Sequence, residues 1–207
     1  MEQYPRAVEQ YREYLAIVPT SAYAHQWMAI CYVRMGDQDH ALRETAAALA
    51  IDPRSSDARV LRAGILASRG QYDDAVRELR AAADTDPDKL VIRVDLAKVL
   101  AEAGRTAEAG AEYEAVLAKD PRFAPALTGL GALEASAGAY ERAVVLFRRA
   151  LDAAPSYAEA RFNLARALEA QGQSAEAAAE YRRLVQDPAA TRAVREAAAA
   201  RLKKPRT

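Results

Sequence analysis

Methyl-sized and apolar residues return to the same places along this chain at a fixed step. Pro19, Pro53, Pro87, Pro121 and Pro155 are each 34 residues apart, and Gly36, Gly70, Gly104, Gly138 and Gly172 keep the same step. Ala41, Ala75, Ala109, Ala143 and Ala177 form a third register, and Ala29, Ala63, Ala97, Gly131 and Ala165 a fourth. Four registers in agreement over five units exclude coincidence, and a period of this length marks a repeat array.

Each unit reads as two helices. Around Ala158–Gln186 the first helix runs from Ala158 to Ala170 and stops at Gly172, where glycine accepts the left-handed backbone that ends a helix tightly. The second starts near Ser174, which reads as its N-cap, and ends before Pro188. Two rods of roughly 20 Å joined by a short turn must lie antiparallel. Ala165 and Ala177 stand where the rods come closest, while Leu164, Leu168, Tyr181 and Leu184 fill the space around them. The small residues thus have a packing role, and none needs a chemical one.

Composition supports helix throughout. Alanine, the best helix former, makes up about a quarter of the chain. The Arg- and Ala-rich usage points to a GC-rich bacterial source. The 29 basic and 29 acidic residues cancel, which removes the electrostatic case for nucleic acid or an anionic membrane surface. Cys31 is the sole cysteine, so no internal disulfide forms, and it reads as a small buried hydrophobe. No apolar run is long enough to insert in a membrane, and no signal segment is evident. The default compartment is therefore cytoplasmic, with the periplasm open if a leading segment has been removed.

These residues resemble the tetratricopeptide repeat (TPR) family, whose pattern of small residues, Gly, Ala, aromatic and Pro is met best by Leu130, Gly131, Gly138, Tyr140, Ala143, Phe147, Ala150 and Pro155. The resemblance implies an all-α fold, a right-handed α-solenoid of antiparallel helix pairs. On that register residues 22–55, 56–89, 90–123, 124–157 and 158–191 are five repeats. Residues 1–21 are the second helix of a truncated repeat, and 192–207 are a C-terminal capping helix and a solvated basic tail. The chain departs from the family where Trp is frequent, placing His25, Arg59, Arg93, Leu127 and Arg161 there.

The opening segment is expected to lack its partner helix, whether because it was cut from a longer protein or because another chain supplies that surface. Tyr4, Ala7, Tyr11 and Tyr14 would pack against the absent helix. With Tyr23 and Trp27 they would form an apolar assembly surface, through which a homodimer could form.

Candidate chemistry is sparse. Asp37, Asp39 and His40 share one inter-helix turn, and they read as helix capping rather than a cation site. No nucleophile elbow, phosphate loop or metalloprotease motif occurs. The expectation is a non-enzyme without metal or cofactor, a scaffold that binds a protein or peptide partner.

In the family the first helix of each repeat lines the concave groove. Carried over, the groove residues are Gln26, Ile30, Val60, Gly64, Val91, Val94, Lys98, Thr128, Ala132, Phe162 and Arg166. A floor of Val and Phe with wide-spaced small residues fits an extended peptide or an amphipathic helix. Val94→Glu is expected to leave the fold intact and weaken any groove ligand. The alternative is the TPR region of a larger bacterial enzyme or secretion or assembly component, serving docking or oligomerisation. The Lys and Asn with which some TPR proteins grip a chaperone's C-terminal carboxylate are replaced by Gln26 and Ile30, so that mode is not expected.

Overall fold

The computed structural model describes residues 3–203; the last four residues of the basic tail lie outside the described residues. Among the described residues there are twelve helices and no strands. They fall into two compact units, residues 1–105 and 106–207.

The first unit holds α1 (Gln3–Ile17), α2 (Ala22–Met35), α3 (Gln38–Ile51), α4 (Ser56–Ser68), α5 (Tyr72–Thr85) and α6 (Leu90–Glu102). The second holds α7 (Thr106–Lys119), α8 (Ala124–Ser136), α9 (Tyr140–Ala153), α10 (Ala158–Ala170), α11 (Ser174–Gln186) and α12 (Arg192–Lys203). Within each unit every helix packs on the next in chain order, and α2 also meets α4, α8 meets α10, and α10 meets α12. Each unit is therefore an all-α solenoid of stacked helix pairs.

The glycine register ends the first helix of each pair. All five of these glycines have φ between 74° and 80°. The following residue's N–H then reaches back to a carbonyl left free by the helix end: Asp37 N to Tyr32 O at 2.9 Å, and Gln173 N to Leu168 O at 2.9 Å. Starts are capped less uniformly. Ser21 and Ser55 accept from Ala24 and Ala58 N–H, both at 3.2 Å. At α11 the cap position is Gln173 and makes no side-chain bond, so Ser174 is the first helical residue and not the expected cap.

The alanine registers are the contact lines between rods. Ala29, Ala63, Ala97 and Ala165 on first helices, and Ala41, Ala75, Ala109 and Ala143 on second helices, are wholly buried. Gly131 replaces alanine because Phe147 lies against it: a Cβ built there would stand 2.8 Å from the ring. Around these lines larger side chains gather. One cluster in the second unit joins Val144, Phe147, Leu164, Leu168, Tyr181 and Leu184. In the first unit Val8, Met28, Cys31, Tyr32 and Ile65 form another.

The cluster in the first unit corrects one expectation. Tyr4, Ala7 and Tyr11 pack onto it, facing α2, because the amphipathic stripe of α1 turns toward the neighbour that is present. Tyr14, Ile17, Tyr23 and Trp27 remain exposed, with the Tyr23 and Trp27 rings edge to face at 6.0 Å.

A charged register crosses several of the pairs at the place where the family often has Trp. Arg161 Nη1 donates to Glu180 at 2.9 Å, Arg59 Nη1 to Glu78 at 2.8 Å, and His25 Nδ1 lies 2.6 Å from Glu44. In α8 and α9 the same register holds Leu127 and Leu146, which share an apolar cluster. One structural slot is thus filled by an ion pair or by two leucines.

Candidate functional site

Each unit opens a pocket between its first helices, at the same repeat register. In the first unit Val60, Gly64, Ala67 and Ser68 of α4 form one wall, and Asp95, Lys98, Val99 and Glu102 of α6 the other, with Leu79 of α5 at the base; the volume is about 490 Å³. In the second, α8 contributes Ala132, Ala135 and Ser136, α10 contributes Asn163, Arg166, Ala167 and Ala170, and α9 brings Tyr140 and Phe147; the volume is about 250 Å³. The pockets exist because residues three and four apart share a helix face, so small side chains there leave a trough between adjacent rods.

The troughs differ in charge. Asp95, Lys98 and Glu102 face the first, while Asn163, Arg166 and Ala170 take the equivalent places in the second. Burial pushes the Asp95 carboxyl above its ordinary pKa, and Lys98 nearby offsets part of that. The serines are already engaged, Ser68 donating to Ile65 O at 2.7 Å and Ser136 to Ala132 O at 2.9 Å.

Of the residues expected to line a groove, the structure brings together Val60, Gly64 and Lys98 in one pocket and Ala132 and Arg166 in the other. Val91 is exposed, and Gln26 and Ile30 are half-buried; these three lie outside both pockets. Phe162 is half-buried with its ring edge to face on Tyr181 at 5.7 Å, and so belongs to the packing of α10 on α11.

Val94 and Thr128 are corrections, since both are about 1% exposed. The first helices bury far more than one stripe: α6 hides Ile92, Val94, Leu96, Ala97, Val99 and Leu100, and this register falls inside that arc. Thr128 also spends its hydroxyl on Ala124 O at 2.8 Å. Val94→Glu would accordingly bury a charge and disturb the fold rather than spare it. Asp95, Asn163 and Tyr140 line the pockets from outside the expected groove positions; for Asp95 and Asn163 the signal in sequence is a polar residue immediately after the register of Val94 and Phe162.

The Asp37 turn is a helix start. Asp37 accepts from His40 N–H at 3.1 Å, its other oxygen lies 2.7 Å from His40 Nδ1, and the His40 ring stacks on Tyr32. Arg69 takes Asp39 at 2.6 Å, placing a guanidinium where a cation would have to sit.

Stacked helix pairs with a glycine-ended first helix and alanine contact lines define a helical-repeat protein. A tetratricopeptide repeat model matches residues 1–65, 66–133 and 134–202, and the chain belongs to that family. Among solved structures it is similar to TTC0263, described as a thermophilic TPR protein in Thermus thermophilus, with TM-score 0.74 and 20% identity over 88% of this chain and 99% of that one. It is also similar to YrrB, described as a TPR protein with an unusual peptide-binding site, at TM-score 0.60 and 15% identity over 93% of this chain and 99% of that one. MamA is a third, at TM-score 0.65 and 19% identity over 75% and 91%. At these identities the likeness is one of fold. No curated protein sequence matches the chain.

Proposed function

We propose that this chain is a non-catalytic scaffold that holds an extended peptide or a helix of a partner protein against the first-helix faces of its two units. The observation that carries this reading is the recurrence of a pocket at the same register in both units, each with an apolar base and uncommitted polar groups at its walls. Apolar anchors seated in a trough, with a few polar contacts beside them, are how folded domains capture short segments. Selection of a displayed peptide library on the full chain tests it. Selected peptides should lose binding when either trough is filled, by Gly64→Trp or Ala132→Trp; peptides indifferent to both variants would move the site elsewhere.

A second reading, docking within a larger assembly, draws on the exposed Tyr14, Ile17, Tyr23 and Trp27 of α1 and α2. It requires self-association or a bound partner at that end, and a monomeric mass by light scattering at high concentration would count against the homodimer.

A further inference from the structure

The two pockets share a register but not a charge. The wall of the first carries two carboxylates and one ammonium, from Asp95, Glu102 and Lys98; that of the second carries one guanidinium, from Arg166. None of these four groups makes a hydrogen bond or ion pair with any described residue. Several arginines that cross helix pairs are committed: Arg59 and Arg62 to Glu78, Arg69 to Asp39, Arg161 to Glu180. Glu169, three residues after Arg166 on the same helix, is already taken by the Tyr181 hydroxyl at 3.1 Å and Arg201 at 3.2 Å.

We infer that the pockets select partner segments of opposite charge, the first seating an aliphatic side chain beside a Lys or Arg, the second an aliphatic side chain beside an Asp or Glu. The proposal rests on the peptide-binding reading and adds to it the sign of the ligand at each trough. Asp95 supplies the physical reason at the first: its carboxylate is half-buried and incompletely compensated by Lys98, so an incoming cation relieves a desolvation cost already present. In the second, the exchange of Asp95 for Asn163 and of Glu102 for Ala170 removes both anions and leaves Arg166 to pair with an incoming carboxylate.

The test uses the full chain and two short dye-labelled peptides with the same leucines, one carrying Lys and the other Glu at the remaining charged places, read by fluorescence anisotropy. Asp95→Asn with Glu102→Gln should weaken the Lys peptide by about three- to tenfold and leave the Glu peptide within about twofold. Arg166→Gln should do the reverse. Helical content and melting temperature close to the parent's verify that each variant is folded; these side chains make no internal bonds to lose.

A peptide that responds to both sets of variants, or to neither, overturns the charge assignment. If both peptides are indifferent to charge yet are displaced by Gly64→Trp or Ala132→Trp, peptide binding stands and only the sign rule falls. Failure of both peptides to bind also overturns the sign rule, while the library selection decides the wider reading independently.

Discussion

The slot that holds Arg161 and Glu180 in α10 and α11 holds Leu127 and Leu146 in α8 and α9, and that equivalence makes a quantitative prediction. Glu180→Leu alone strands a guanidinium that is only 16% exposed. Breaking a fully buried pair costs about 3–5 kcal/mol. Here the residual exposure, and the Pro155 carbonyl to which Arg161 also donates, reduce this to about 2–3 kcal/mol.

The double change Arg161→Leu with Glu180→Leu removes both charges and recreates the leucine pair, so it should stay within about 1 kcal/mol of the parent. The lost bond to Pro155 has a substitute. Arg149 donates to Pro121 O at 3.4 Å in the leucine-bearing pair, and Arg183 occupies its register. Arg183 is held by Glu180 at 2.5 Å and is released in the double variant.

For a chain of this size about 1 kcal/mol moves Tm by roughly 2–4 °C. Thermal melting followed by circular dichroism should therefore show Glu180→Leu lower by about 5–10 °C and the double variant lower by less than about 4 °C. A double variant that melts as low as the single one would refute the claim that the slot accepts either chemistry. So would a single variant with no loss.

Two glycines within helices should respond to alanine with opposite signs. At Gly64 a Cβ meets nothing within 4 Å, so Gly64→Ala gains helix propensity of about 1 kcal/mol, whereas Gly131→Ala drives a methyl to 2.8 Å from the wholly buried Phe147 and should lose about 1–2 kcal/mol net. Paired urea titrations check the signs, and a stabilised Gly131→Ala would mean that Phe147 yields freely. At high pH, Tyr181 is the second probe: burial first, then the Glu169 carboxylate, push its hydroxyl from 10.0 up to about 12. The neutral phenol is thus favoured in the fold; its contribution is complete below pH 10 and is lost as pH rises toward about 12. Tyr181→Phe should cost about 1 kcal/mol at neutral pH from the lost bond to Glu169 and should melt with a shallower decline above pH 10 than the parent; parallel declines would refute the assignment.

The features legible in sequence are those that backbone geometry imposes identically on every unit. A left-handed residue must end each first helix, so Gly36 and Gly172 announce themselves, and close rods demand methyl-sized contacts, so Ala143 and Ala165 do as well. What escaped has a different cause in each case. Val94 and Thr128 stand at positions that the family resemblance places on the groove, whereas in α6 and α8 the buried arc is wider than one amphipathic stripe and takes both residues inside it.

The charged slot was hidden because Arg59 and Arg161 look like departures from an aromatic position until their glutamates, each 19 residues on, are seen across the turn. That spacing spans a helix, a turn and part of the next helix, so no periodicity confined to one helix reports it. The same reasoning locates the specificity of the pockets. Positions held to one residue type by stacking repeat, so information about a partner resides where the repeats differ without a packing reason. Asp95 against Asn163 and Glu102 against Ala170 are such places: neither stacking nor capping constrains them, and they alone change the sign of an otherwise common trough.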